Sequence, residues 1–187
     1  MTKPIAEPGK LASTRVYTGR VVNLDIDEVR FPNGHVGELE MIRHSGASAI
    51  VPFLTDPDGD DPQILLIRQY RYAADGFLYE VPAGRLEPGE DPADCARREL
   101  REETGCSAAH MERLFTMYTT PGFTDERIHL FMASGLTRGD TQLEADEIAE
   151  VVTLSLSRAL EMIQRNEITD CKTALAVLYV AGFKLGR

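Results

Sequence analysis

Three glutamates, Glu99, Glu102 and Glu103, stand three and four residues apart in the segment GRLEPGEDPADCARRELREETGC, residues 84–106. At about 3.6 residues per turn, a helix carries all three carboxylates on one face. Anions so crowded repel one another and raise each other's pKa unless a cation neutralises them. A hard divalent ion with oxygen ligands, Mg²⁺ or Mn²⁺, is the simplest neutraliser. The competing reading is a solvated charged helix, in which Arg97, Arg98 and Arg101 pair with the glutamates at helical spacing.

The same segment supplies the elements that would hold those carboxylates. Asp91 followed by Pro92 is a helix start, an N-cap side chain and a proline at the first helical position. Ala93, Ala96 and Leu100 give the helix a narrow apolar stripe suited to packing on a sheet. Gly105 is a natural left-handed terminator, and Gly84, Pro88 and Gly89 make a tight loop carrying Glu90 to the helix start.

The order Gly84, five residues, Glu90, seven residues, then Arg98-Glu99-Leu100-x-Glu102-Glu103-x-Gly105 and Cys106 resembles the Nudix box. Every fixed position matches, with Cys106 in the final apolar place. The resemblance implies hydrolysis of a nucleoside diphosphate linked to another moiety, on an α/β/α sandwich with a mixed sheet. It implies Mg²⁺, replaceable by Mn²⁺, held by Glu99, Glu102, Glu103 and the backbone carbonyl of Ala83. Gly84, Glu90 and Arg98 would support these ligands, and Glu102 and Glu103 are expected to serve in catalysis as well. Related ADP-ribose hydrolases take their general base from a loop preceding the last strand. The matching position in LEADEIAEV is Glu147, with Glu144 the alternative.

Features outside the box resemble the ADP-ribose pyrophosphatase subgroup. They are Pro121, fifteen residues beyond Cys106, with its surrounding YTTPGFTDERIHLF, IRQYR at 67–71, and DCKTALAVL at 170–178. By this resemblance Arg71 meets the substrate phosphates, and Arg68, Arg85 and Glu126 are further substrate-binding candidates. One departure stands in Arg20-Val21-Val22-Asn23, which offers no aromatic where relatives often stack the adenine. ADP-ribose is the first substrate choice, with GDP-mannose, ADP-glucose and flavin or nicotinamide dinucleotides as alternatives. A noncatalytic nucleotide sensor on the same fold is the reading from another class. Such proteins tend to have degraded box glutamates, and these are intact.

The 187 residues suffice for one domain with a modest extension. The net charge of −10 disfavours nonspecific binding to nucleic acid or membrane surfaces, which needs basic patches. No apolar run approaches the length of a membrane span, and MTKPIAEPGK lacks the apolar core of a secretory signal, so a cytoplasmic setting is expected. Cys95, Cys106 and Cys171 are odd in number and widely spaced, which argues against a disulfide scaffold or zinc knuckle. The four histidines lack ligand spacing, and His129 reads as a strand residue.

Along the chain, residues 1–45 read as a tail and an antiparallel β meander for dimerisation, and 46–187 as the catalytic domain. Residues 1–14 look like a loose tail. Residues 15–43 carry alternating apolar residues, Leu24 and Ile26 among them, around Asn33-Gly34, a two-residue hairpin signal, and this apolar surface is expected to pack on a partner. ASAIVPFL and QILLIRQY are strands flanking DPDGDDP, which fails as a calcium loop because Asp61 and Ile67 stand where glycine and glutamate are required. FLYEVPAG, MERLFTMY, RIHLFMA and IAEVVTLSL are further strands. Two helices close the chain, one capped at the Ser155/Ser157 region and one beginning near Thr169-Asp170. In relatives the N-terminal segment exchanges between subunits and borders the substrate site, so a homodimer is expected.

Overall fold

Alternating residues in the N-terminal quarter form a three-stranded antiparallel meander, β1 (Gly9–Thr18), β2 (Asn23–Arg30) and β3 (Val36–Arg43), in that order. The computed structural model describes residues 7–140 and 149–186. Its chain divides into two compact units, Met1–Gly46 with Tyr118–Arg127, and Ala47–Met117 with Ile128–Arg187.

In the first unit three expectations need correction. The loose tail is shorter than read, because β1 starts at Gly9 and pairs along its length with β2 while every residue of it stays exposed. Hydrogen bonding to a neighbouring strand, without burial, makes this strand, and so no apolar pattern announces it. The hairpin is not a two-residue Asn-Gly turn. That turn would need an N–H from Pro32, which has none. Instead Gly34 N–H donates to Phe31 O at 2.8 Å and Phe31 N–H to His35 O at 2.8 Å, with only Gly34 left-handed (φ 85). Finally, the buried residues of β2 are Asp25 and Asp27, while Leu24 and Ile26 remain half-exposed. Arg15 and Arg43 pair with Asp25, Arg43 also pairs with Asp27, and Ser13 Oγ donates to Asp27 at 2.6 Å. Fully partnered, the carboxylates tolerate burial that would otherwise be costly.

The second unit is built on β4 (Ala47–Pro52), β5 (Gln63–Arg71), β6 (Gly76–Glu80), β7 (Ala83–Arg85), β8 (Cys106–Tyr118), β9 (Arg127–Arg138) and β10 (Ala149–Ser155). The strands order as β7-β4-β9-β8 and β10-β5-β6. β4 runs parallel to β9 and antiparallel to β7, so the sheet is mixed. Each residue of β4 is buried, the signature of a strand covered on both faces.

Among the described residues three α-helices cover it: α1 (Pro92–Thr104), α2 (Leu156–Gln164) and α3 (Cys171–Tyr179). Ala47, Ala49, Val51, Ile64 and Leu66 pack with Leu156, Ala159 and Val177 of α2 and α3. Ile50 and Leu65, one residue out of phase, pack with Ala96 and Leu100 of α1. Because strand side chains alternate faces, these clusters lie on opposite sides of the strands, and the unit is an α/β/α sandwich. Leu100 is 1% exposed, and truncating such a side chain to alanine costs about 2–5 kcal/mol.

The helix starts follow their caps. Asp91 accepts from Ala93 N–H at 2.8 Å, Ser155 from Arg158 N–H at 3.2 Å, and Asp170 from Thr173 N–H at 3.0 Å. The acidic turn after β4 has a structural task too, as Asp61 accepts from Ser157 N–H at 3.0 Å and Oγ at 2.7 Å. The last helix stops at Tyr179 and continues as a π-turn over Val180–Lys184.

Candidate active site

The register of β7 against β4 sets Gly84 opposite Ser48 and Ala83 opposite Ala49. Ser48 Oγ donates to Pro92 O at 2.7 Å, which fixes the start of α1 over this strand pair. α1 ends at Gly105 (φ 69), whose N–H donates to Arg101 O at 2.9 Å, the left-handed stop expected from sequence. Between these ends the buried face holds Cys95, Ala96, Leu100 and Thr104, and also Glu99 and Glu103, 8% and 3% exposed.

Each carboxylate on that face has a partner. Glu103 Oε2 accepts from Ala83 N–H at 2.8 Å. Arg98 donates from Nη1 to Glu99 at 2.5 Å and to Glu102 at 3.2 Å. The same guanidinium grips Glu90 by two bonds, from Nε at 2.9 Å and Nη2 at 3.0 Å, and reaches Arg85 O at 3.0 Å. The Arg98 hydrogen bonds hold the Glu90 carboxyl down at about 2, and the same pairing pushes Arg98 up. Burial raises the Cys95 thiol to about 11, so it stays protonated and lies 3.5 Å from the Gly84 and Arg85 carbonyls. At Gly84 a Cβ would meet Glu99 Oε1 at 2.0 Å; glycine is required there by the space the carboxylate fills.

Beside this face Arg71, on β5, donates to Glu80 from Nε at 2.6 Å and from Nη2 at 2.8 Å. The hydrogen bonds to Glu80 raise the Arg71 pKa, with smaller contributions from the charges of Glu103 and Asp170.

The NUDIX domain profile matches residues 44–171 of this chain. The chain belongs to the Nudix family. Among its relatives, an ADP-ribose pyrophosphatase of Bacillus subtilis (strain 168) is 35% identical over 93% of this chain and 92% of its own length. A methanol dehydrogenase activator of Bacillus methanolicus is 39% identical over the same shares. A crystal structure of an ADP compounds hydrolase superposes with a TM-score of 0.78 over 96% of this chain and 95% of that one, at 21% identity, a likeness of fold. The protein is thus a Nudix hydrolase.

Nudix hydrolases generally depend on a divalent metal, and the site's chemistry suits one. The donors are all oxygens. Glu90, Glu99, Glu102 and Glu103 bring four negative charges against the single charge of Arg98. Among the described residues no three His, Cys, Asp or Glu side chains converge as a metal shell, and the Arg98 guanidinium bonds both Glu99 and Glu102. The donor set and the excess charge fit a hard cation.

The structure thus gathers Glu90, Glu99 and Glu102 around the Arg98 guanidinium, seats Glu99 against Gly84, and ties Glu103 to Ala83. Arg68 on β5 lies over the Phe77 ring, 4.2 Å from its centroid. Arg85 is exposed and joins the cluster through its carbonyl. Glu126 belongs to the first unit, where it accepts from Thr119 Oγ1 at 2.8 Å and lies 3.4 Å from His44 Nδ1. Glu144 and Glu147 lie outside the described residues. Glu80 and Lys172 escaped the sequence reading; the available signals were the position of Glu80 just before Val81-Pro82-Ala83-Gly84 and that of Lys172 within DCKTALAVL.

Proposed function

We propose that this enzyme hydrolyses the pyrophosphate bond of a nucleoside diphosphosugar in a Mg²⁺-dependent reaction, with ADP-ribose as substrate and AMP and ribose 5-phosphate as products. The carboxylate face of α1, held against the backbone of β7, carries the reading. Glu99, Glu102, Glu103 and the Ala83 carbonyl would hold Mg²⁺ or Mn²⁺. When bound, the ion would neutralise the pyrophosphate, polarise a phosphoryl oxygen and lower the pKa of a water.

The chain's own residues supply the rest. Arg98, fixed by its two bonds to Glu90, sets the directions of Glu99 and Glu102. Arg71 offers a planar fork of donors to the phosphates, with Arg68 and Arg85 adding positive charge and Glu126 reaching a ribose or water. Glu147 accepts a proton from the attacking water, with Glu144 the alternative.

The choice of ADP-ribose is supported by the near full-length likeness to the Bacillus subtilis ADP-ribose pyrophosphatase. The Bacillus methanolicus relative favours a second reading, in which the hydrolase raises the activity of a dehydrogenase. We also assign the N-terminal tail and meander, residues 1–45, to a homodimer interface, with residues 46–187 as the catalytic part. Leu11, Val16, Tyr17, Val22 and Val36 are exposed apolar residues of this segment, a surface that a second copy of the same chain would cover in a two-fold dimer. No helix among the described residues is long and apolar enough to cross a membrane.

The test is a panel of nucleotide sugars and dinucleotides with Mg²⁺, read by phosphomonoester release. ADP-ribose should be hydrolysed fastest, excess chelator should abolish turnover, and Mg²⁺ or Mn²⁺ should restore it. A faster GDP-mannose or dinucleotide reaction would overturn the substrate, and full turnover in chelator would overturn the metal. Stimulation of a methanol dehydrogenase by the active enzyme, lost in Glu103→Gln, would support the second reading.

A further inference from the structure

Glu80 ends β6 and is 2% exposed, yet it carries a full charge among four ionic groups. Arg71 of β5 grips both its oxygens, and Lys172 Nζ donates to Oε2. Lys172 Nζ also donates to Asp170 Oδ2 at 3.0 Å. Asp170 is the N-cap of α3, accepting from Thr173 N–H at 3.0 Å and Thr173 Oγ1 at 2.5 Å. Thr173 Oγ1 in turn accepts from the N–H of Val81, the residue after Glu80, at 2.8 Å. The circuit therefore closes: β5, the end of β6 and the start of α3 are locked through one buried carboxylate. Burial alone would raise the Glu80 pKa, but the hydrogen bonds from Arg71 and the charge of Lys172 more than reverse it.

A buried ion pair is weak evidence of stabilisation, because apolar side chains of similar volume often serve a core as well. What the arrangement does supply is direction. Arg71 is 43% exposed at its side chain, and an unrestrained arginine there would sample many rotamers. The side-on pairing through Nε and Nη2 fixes the plane of the guanidinium and leaves the Nη1 end of the fork for another anion. Glu80 stands three residues before Ala83, whose N–H binds Glu103, and this short run of chain sets the fork near the carboxylate face of α1.

We infer that Glu80, steadied by Lys172, is a positioning residue that aims Arg71 at the phosphates of the substrate. The inference rests on the reading that Arg71 meets those phosphates.

The experiment measures kcat and KM for ADP-ribose with Mg²⁺, together with Tm, in Arg71→Ala, Glu80→Gln, Lys172→Met, Lys172→Arg and the double variant Arg71→Ala/Glu80→Gln. Losing a charge-assisted contact to phosphate, Arg71→Ala should raise KM by about tenfold or more. Glu80→Gln should raise KM by about tenfold with kcat within about threefold, since binding rather than the bond-breaking step is misaimed. Lys172→Met should shift KM the same way by less, and Lys172→Arg should restore it. In the double variant Glu80→Gln should add nothing to Arg71→Ala. Should Glu80→Gln melt below the assay temperature, Glu80→Gln/Lys172→Met removes both charges and should show the same KM rise. An unchanged KM in Glu80→Gln, or an effect that adds in full to Arg71→Ala, would overturn the positioning role while leaving the substrate reading intact. An unchanged KM in Arg71→Ala would overturn both, and it would do so at the phosphate contact.

Discussion

Replacing Gly84 with alanine should separate activity from stability in this enzyme. A Cβ there would lie 2.0, 2.1 and 2.5 Å from the Glu99 Oε1, Cδ and Oε2 atoms, whereas ordinary contact begins at 3.4 Å. The carboxylate must therefore retreat by about 1.4 Å. The obstacle is the end of a flexible side chain, so Glu99 swings while β7 and α1 stay in place. The swing removes the 2.5 Å hydrogen bond from Arg98, a charge-assisted contact of about 1.5–3 kcal/mol. The reduced freedom of the unfolded alanine chain returns about 0.4–1 kcal/mol. The net loss is about 0.5–2.6 kcal/mol, a fall in Tm of about 1–10 °C for a chain of this size. Catalysis should suffer far more, because misplacing a positioned group by about 1 Å can cost about 100-fold.

The assay pairs kcat/KM across a Mg²⁺ titration with calorimetric Tm, and it has an internal contrast at Gly105. A Cβ at Gly105 would meet the backbone oxygen of Gly139 at 2.5 Å, and its φ of 69 disfavours any side chain. Gly105→Ala should accordingly lower Tm first, with activity following the folded fraction. The reasoning would be refuted by a Gly84→Ala enzyme whose kcat/KM and Mg²⁺ half-saturation stay within about twofold of the parent.

Three other outcomes are expected. Glu147→Gln should lower kcat by about 10²–10⁴-fold with little change in metal affinity, and Glu144→Gln much less; the reverse order would move the base to Glu144. Hydrogen bonds from Arg98 hold Glu90 at about 2 against an ordinary 4.5, and Asp25 and Asp27 lie below 3.8 through Arg15 and Ser13 respectively, with Arg43 acting on both. The unfolded chain therefore takes up protons first as pH falls, so Tm should hold steady above pH 4.5 and decline toward pH 2; a flat profile by circular dichroism across that window would contradict these pairings. Deleting residues 1–43 should abolish dimerisation and raise KM together, and a full-length chain that sediments as a monomer at micromolar concentration while turning over ADP-ribose efficiently would exclude the dimer.

The helix of the box was readable because all its determinants are local. Asp91, Pro92, Gly105 and the glutamate spacing lie within a few turns of one another, and each acts on backbone a few residues away. β4 was readable as a strand for a similar reason, as a short run of mostly apolar residues. What escaped depends on pairing at long range. Asp25 and Asp27 looked like the solvent face of β2, since local alternation favours Leu24 and Ile26 for burial; Arg15 and Arg43 reverse this, and their positions on the neighbouring strands come from strand register. Glu80 and Lys172 are 92 residues apart, and each alone resembles an ordinary surface charge. Only the approach of α3 to the end of β6 gives either a partner.

The three residues of β7 hold the site through atoms that neither titrate nor rotate. The Ala83 amide anchors Glu103, the missing side chain of Gly84 makes room for Glu99, and the Arg85 carbonyl holds Arg98. Successive residues of the strand thus meet successively earlier positions of α1, 103, then 99, then 98, as an antiparallel strand and helix must when they lie side by side. A cluster with four carboxylates and one guanidinium would splay by self-repulsion if it depended on side-chain contacts alone. Backbone anchors set two of those carboxylates and the arginine before any ligand arrives, which is the preorganisation a charged transition state requires. The sandwich serves the chemistry through this short strand, because its pairing with β4 and the bond from Ser48 to Pro92 decide where α1 rests.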